Sequence, residues 1–388
     1  MQHGNAIRVP HGVVKVVTLA ELQNCEAWKR ALQNKCKDHR YYEIVEETLQ
    51  GSGFEHHYLL LEDDSGNARA IQPVFFVRQN LVEGVPGKIG SVVDAVRKIF
   101  PRFLTMRALM VGCAAGTGDL SACDEKDEAW VANALQPSLL TYARHNKASL
   151  IVLKDFPATY RSELETFPLN GYARIPSMPM TRLSLHYDNW DEYFRTLSKA
   201  TRKDLRRKFR KAERAPKLEM EVVNDIADLV DEIYPLYLAV HERSPLKFET
   251  LTKDYFRAIG QRLPDRARFF IWRQLGRIVA FSFCLVCNDK IYDECIGLDY
   301  GVALDLHLYF YTLRDIISWG LEHGLKYYYS NPLNYEPKLH LDCELVPLDL
   351  YVLHTNPVLS PIFRRLIKYL GPTRHDPVLQ RFPNADQL

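Results

Sequence analysis

Two successive α/β domains, each a mixed sheet flanked by helices, are what this sequence predicts, and three observations lead there. The 388 residues are 47% hydrophobic, which supports two cores of ordinary size better than one oversized core. The same order of patterns, a helix, a strand hairpin, then a helix leading into a buried strand, runs through the chain twice at an offset of roughly 160–170 residues, the size of one ordinary domain. Between the runs, 167–179 carries Pro168, Gly171, Pro176 and Pro179 without helical or strand periodicity, which marks a connection. The boundary falls near Ser177, giving domains 1–176 and 177–388.

The first run opens on a helical pattern around Trp28, then reaches a strand at 58–62, a polar turn at 63–67 and an apolar strand at 70–77, which reads as a hairpin. Glycines cluster at 112–118, and a helical pattern over 125–145 ends in the apolar strand 150–153. The second run opens on Trp190. Strands 268–273 and 277–286 flank a turn at Gly276, strand 291–297 follows, and helix 306–323 leads through Gly324 into strand 326–330. Alternating hairpins and helix–strand units predict mixed sheets with helices on both sides, so each domain is expected to be α/β or α+β.

Charge excludes some functions. The 50 basic and 48 acidic residues leave a net charge of +2, so nothing draws the whole chain to nucleic acid or membrane. The 8 cysteines form no dense framework and no basic-then-apolar signal opens the sequence, which fits a reducing cytosol. The longest apolar stretch, 278–287, is half of the roughly 20 residues a membrane-spanning helix needs. The C-x-x-C of Cys284 and Cys287 lies inside it with no second pair, so two packed core thiols are expected rather than zinc, and no metal centre.

One segment is strongly charged. Over 199–214, Arg202, Lys203, Arg206, Arg207, Lys208, Arg210, Lys211 and Arg214 are opposed only by Asp204 and Glu213, while Phe194, Leu197, Leu205, Phe209 and Ala212 recur at helical spacing. This is either a solvated face or a site for a polyanion: the phosphates of a thioester carrier, a tRNA backbone or anionic lipid.

Ser198-x-x-x-Arg202 followed by Arg206 and Arg207, the strand and loop 151–157, the strand and loop 291–299, and Asn334-Tyr335-Glu336-Pro337-Lys338 together resemble the FemAB-like group of GNAT-superfamily N-acyltransferases. The resemblance spans most of the chain. It implies two tandem GNAT-like domains that move an acyl or aminoacyl group onto an amine, with the active cleft mainly in the second. A neutral amine attacks a thioester or ester carbonyl, a base takes its proton, and hydrogen-bond donors stabilise the oxyanion. No permanently bound cofactor is implied; acyl-coenzyme A would be a co-substrate, with Arg202, Arg206, Arg207 and Lys338 as candidate phosphate ligands.

On strand 291–297, Tyr292, Glu294 and Ile296 share a face by period-two alternation, so a carboxylate stands where an apolar strand usually has Val or Ile. Glu294 is the first candidate base, with a buried structural ion pair as the alternative. His241 is the second, since imidazole titrates near neutral pH; a capping or packing histidine is its alternative. Asp299 and Tyr300 follow the strand in a loop and are candidates to orient the amine. Tyr335 is a candidate oxyanion donor.

The sequence departs from many GNAT enzymes in one respect. After strand 291–297 the chain reads Leu298-Asp-Tyr-Gly-Val-Ala-Leu-Asp-Leu-His307, without the Arg/Gln-x-x-Gly-x-Gly/Ala turn whose amides hold the coenzyme A pyrophosphate. The Gly-rich 112–118 is unlike a Walker or dinucleotide pattern and reads as a flexible loop. Near the C-terminus, Val358, Leu359, Ile362, Phe363, Leu366, Ile367 and Leu370 make an apolar stripe beside Arg364, Arg365 and Lys368; docking onto its own domain is expected, with contact at an anionic membrane surface the alternative. The function expected first is acyl-coenzyme A-dependent N-acylation of an amine, including a long-chain sphingoid base to give a ceramide-like amide. Aminoacyl transfer from tRNA is the alternative within the family resemblance, although no long heptad pattern for a tRNA-binding helical arm is visible. A non-enzymatic polyanion-binding module is the alternative from another class. The expected location is cytoplasmic, including a peripheral position at the inner membrane.

Overall fold

The computed structural model describes residues 6–51, 53–80, 105–367, 373 and 376–388. The chain divides into two compact units, 1–178 with 347–377 and Leu388, and 179–346 with 378–387. The strands of the first unit, numbered along the chain, are β1 (Ala6–Val9), β2 (Gly12–Val17), β3 (Glu55–Asp63), β4 (Ala68–Asn80), β5 (Thr105–Val111), β6 (Leu150–Pro157) and β7 (Ala173–Pro176). Those of the second are β8 (Met180–Ser184), β9 (Leu218–Val223), β10 (Ala267–Gln274), β11 (Arg277–Cys287), β12 (Lys290–Leu298), β13 (Tyr327–Ser330) and β14 (Glu344–Val346); β15 (Leu348–His354) returns to the first unit.

The first sheet has the order β1-β2-β3-β4-β5-β6-β15-β7 and the second β14-β8-β13-β12-β11-β10-β9. Five antiparallel strands in the first sheet and four in the second end at a single parallel pair, β5 with β6 and β12 with β13. Two further antiparallel strands follow on the far side. The duplicated α/β plan is therefore in the hydrogen-bond pattern itself.

The expected second domain, 177–388, needs correction, because 347–377 folds with the first unit. β15 lies inside the first sheet, antiparallel to β6 and β7. Its Asp349 is fully buried between Arg161 at 2.6 Å and Arg174 at 3.1 Å. An apolar period identifies a buried strand but not the sheet that takes it.

In the second unit, β10 and β11 close on Leu275 and Gly276, with φ of 52° and 78°, the left-handed pair that matches strand twist in a tight hairpin. One face of the sheet, with Phe270, Trp272, Ala280 and Cys284, shares a core with Leu205 and Phe209 of helix Lys199–Glu213 and with Leu313, Ile316 and Ile317 of helix Leu308–Glu322. On the other face, the Phe256 ring of helix Lys253–Arg262 meets Phe281 at 5.9 Å and Tyr255 meets Phe283 at 6.4 Å. Cover on both faces explains why 278–287 is apolar without alternation. Cys284 is a buried free thiol, as expected, but Cys287 is disulfide-bonded rather than a packed thiol.

Candidate active site

The second sheet opens at one place. β13 pairs with β12 only from Lys290 to Asp293, whereas β12 continues along β11 to Leu298. At the same point the β11–β12 register slips, from Cys284 opposite Asp293 to Phe283 opposite Cys295. Glu294 is thus the extra residue of a β-bulge, a device that re-aims a side chain. Asn331, the first residue after β13, donates its Nδ2–H to the Glu294 carbonyl at 2.7 Å and to Oε2 at 3.1 Å. The partly exposed carboxylate is therefore held at the mouth of the opening.

The bulge overturns the expected face. Tyr292 stacks on Tyr329 with ring centroids 4.8 Å apart, while Ile296 packs against the core that contains Ile291 and residues of helix Leu308–Glu322. One inserted residue reverses the alternation, so Tyr292 and Ile296 lie on opposite faces.

Beneath Glu294 lies a buried polar floor that sequence reasoning missed. Ser282 Oγ donates to Asp293 Oδ1 at 2.5 Å and Tyr328 donates its phenol to Oδ2 at 2.7 Å. Burial raises the Asp293 carboxyl, the two hydroxyl donors offsetting part of the rise. Lys338, 2% exposed, donates to the carbonyls of Asn331 and, at 2.8 Å, Leu333. Burial lowers its ammonium to about 8, with Asp293 opposing the shift. The loop it supports places Leu333 and Asn334 in the left-handed region, φ 74° and 49°. Ser282, the lone hydroxyl in the apolar run 278–287, was the available signal, since a buried hydroxyl needs a partner.

The corresponding opening in the first unit is filled by its own backbone. β6 runs past its pairing with β5, and the Gly-rich segment lies against the overhang: Gly118 N–H donates to Asp155 O at 3.0 Å and Lys154 Nζ to Gly116 O at 2.8 Å. A Cβ on Gly118 would come within 2.4 Å of Lys154 O and the Phe156 ring. The expected flexible loop is instead an ordered plug, with Cys113, Ala114 and Ala115 buried. Among the described residues no register slip interrupts β4–β5.

The other candidates are dispersed. Tyr335 is 1% exposed and its phenol already donates to Pro179 O at 2.8 Å. The enclosed Lys338 supports a loop rather than presenting an ammonium to a phosphate. His241 ends helix Val230–His241, which packs on β12. Its Nε2 lies 3.0 Å from Thr250 Oγ1 and its ring stacks on Tyr237. Burial, then the nearby Lys247, hold its pKa below the ordinary value, leaving it a packed neutral imidazole near pH 7. Asp299 pairs with Arg277 and accepts from Gly301 N–H at 2.8 Å. Arg243 sits 3.9 Å from the Tyr300 ring centroid.

On the basic helix, Arg202 donates to the Arg195 and Leu197 carbonyls at 2.6 Å each, tying down the preceding turn. Arg206 covers the Phe194 ring at 5.2 Å, and Arg207 pairs with Asp204 at 2.7 Å. Asp305 adds a partner for Lys211 at 3.2 Å that the local sequence does not show. Lys203, Arg206, Arg207, Arg210 and Arg214 nevertheless remain exposed.

Residues 199–336, from the basic helix to the loop beyond Asn331, match the family described as acetyltransferase (GNAT) domain. Among solved structures, FemX is similar over 91% of this chain and 100% of its own, at 12% identity and TM-score 0.52. A tandem GNAT protein from the clavulanic acid biosynthesis pathway aligns over 89% of this chain and 99% of its own, at 11% identity and TM-score 0.49. L-PGS from Bacillus licheniformis aligns over 81% and 89%, at 14% identity and TM-score 0.48. These are likenesses of fold. A search of curated protein sequences gives no significant match. Among the described residues no helix is long and apolar enough to cross a membrane.

Proposed function

We propose that the chain, whose residues 199–336 match the acetyltransferase (GNAT) domain family and whose fold is similar to that of FemX, transfers an aminoacyl group from an aminoacyl-tRNA to a primary amine at the Glu294 opening. The observation that carries this reading is the β-bulge that sets a carboxylate where β12 parts from β13. The amine nitrogen attacks the ester carbonyl, Glu294 accepts its proton, and collapse of the tetrahedral intermediate breaks the bond to the ribose oxygen, which leaves protonated. Asn331 orients the base. Asp293, Ser282, Tyr328 and Lys338 fix the strand and loop that carry the two.

The turn after β12 supports this choice of donor. Asp299 places its carboxylate on Gly301 N–H, and its carbonyl accepts from Val302 at 3.1 Å and Ala303 at 2.8 Å. These are amides a pyrophosphate would need at the start of the following helices, and Asp299 already occupies them. That weighs against acyl-coenzyme A bound in the usual way, and with it against the ceramide-forming reading. A polynucleotide donor would instead meet the exposed cations of helix Lys199–Glu213, which packs on the helices Ala303–Leu306 and Leu308–Glu322 that follow β12.

The test offers purified protein charged tRNA, acetyl-coenzyme A or palmitoyl-coenzyme A with a panel of polar and long-chain amines, reading amide product by intact mass. Product from charged tRNA, lost in Glu294→Gln, supports the proposal. Product from a coenzyme A thioester alone refutes the donor. Salt-sensitive tRNA binding without turnover would leave the chain a polyanion-binding module.

A further inference from the structure

In the first unit, the C-terminal helix Ser360–Ile367 is attached to the sheet by one stripe only. Ile367 is buried, and the Phe363 ring lies 5.7 Å from that of His354 on β15. The expected docking of the whole stripe fails for the rest: Val358 is 75% exposed, Leu359 47%, Ile362 58% and Leu366 58%. On the helix, Ile362 and Leu366 lie within one narrow arc bordered by Arg365, and Val358 and Leu359 stand in the turn just before it. Leu370 and Lys368 lie outside the described residues.

We propose that this face rests on an anionic lipid bilayer. Charge complementarity selects that occupant. From 350 to 375 the chain contains no Asp or Glu but carries Arg364, Arg365, Lys368 and Arg374, in a protein whose total charge is only +2. Arg364 and Arg144 also line a cavity of about 280 Å³ with Asn170, Thr355, Ser360 and Pro361. That volume suits a lipid phosphate with Arg364 as its cation, Arg144 already donating through Nε and Nη2 to Thr355 O, while Ile362 and Leu366 enter the acyl boundary beside it. Apolar insertion joined to basic side chains is the combination that holds a peripheral helix at a negative surface. A second copy of this chain fits less well: it would bring cations against cations, and the four side chains offer on the order of 400 Å², about half of what each partner buries in a stable interface.

The inference does not depend on the chemistry at Glu294. The test is co-sedimentation of the full chain with vesicles of phosphatidylcholine alone or with about 30% phosphatidylglycerol, with circular dichroism confirming the fold of each variant. Partition at least tenfold greater onto the anionic vesicles is expected. A loss of at least tenfold should follow in both Ile362→Ser/Leu366→Ser and Arg364→Gln/Arg365→Gln, with none in Glu294→Gln. Equal partition onto both vesicle types, no binding, or wild-type binding by both double variants overturns the proposal. So does a change from dimer to monomer in Ile362→Ser/Leu366→Ser with vesicle binding intact, which would assign the face to self-association.

Discussion

Replacing Lys338 by Met isolates the ammonium, because the two side chains are similar in length. Lys338 serves the carbonyls of Asn331 and Leu333. Leaving each of the two buried carbonyls unserved costs about 1–3 kcal/mol, about 2–6 kcal/mol for the pair, and relief from burying a cation returns part of it, so a net loss of about 2–4 kcal/mol is expected at pH 7. The pH dependence is more specific. Burial sets the folded pKa at about 8 against 10.5 unfolded. Between those values the unfolded chain holds a proton that the folded chain has released, so this group makes wild-type stability rise with pH. At about 1.36 kcal/mol per decade, the gain from pH 7 to pH 10 is about 2–3 kcal/mol. Lys338→Met lacks it. Urea denaturation of both proteins at the two pH values measures the double difference, in which groups common to both largely cancel. A stability gap that stays constant or narrows from pH 7 to pH 10 would refute the reasoning.

Glu294→Gln keeps the volume and an acceptor for Asn331, so the thermal midpoint should stay within about 2 °C while turnover falls roughly 10²–10⁴-fold, the usual contribution of a positioned base; single-turnover kinetics would decide it. Asn331→Ala should lower kcat about 10–100-fold by freeing the base from its orientation, with KM for the amine little changed. Gly297→Ala should destabilise the second unit by about 1–3 kcal/mol or more, because a Cβ there would lie 2.2 Å from the Phe281 ring and 2.7 Å from Tyr237 N; denaturant midpoints test it. Changing Arg206, Arg207 and Arg210 to Gln should lower the log–log salt slope of tRNA binding by roughly 0.7–0.9 for each phosphate that is no longer neutralised.

The duplication was legible because it rests on period and punctuation: apolar runs at 150–153 and 278–287 and turns at 63–67 and Gly276; the Pro/Gly segment 167–179, expected to be a plain connection, instead holds β7, an edge strand of the first sheet. Glu294 stood out for the same reason, as a carboxylate in an apolar strand. What the sequence withheld depends on three-dimensional register. A one-residue bulge leaves no local mark, so Tyr292 and Ile296 were placed on one face when they lie on two. Tyr335 and Lys338 look like loop residues in Asn-Tyr-Glu-Pro-Lys, yet each is claimed by a carbonyl, Pro179 for the phenol and Asn331 and Leu333 for the ammonium. The glycines at 112–118 suggested freedom, but the missing Cβ at Gly118 serves close backbone approach.

The position of β15 has a consequence for synthesis. Val352 pairs with Val152, a separation of 200 residues, so the interior of the first sheet stays open while the whole of 179–346 is being made. At about 5–20 residues per second that wait lasts roughly 10–40 s. During it the apolar β6 presents an edge able to pair with other chains. Cutting the gene near codon 177 would make the exposure permanent, and a fragment ending there should aggregate unless 347–377 is supplied in trans. The first unit waits on a strand made only after the whole of the second sheet.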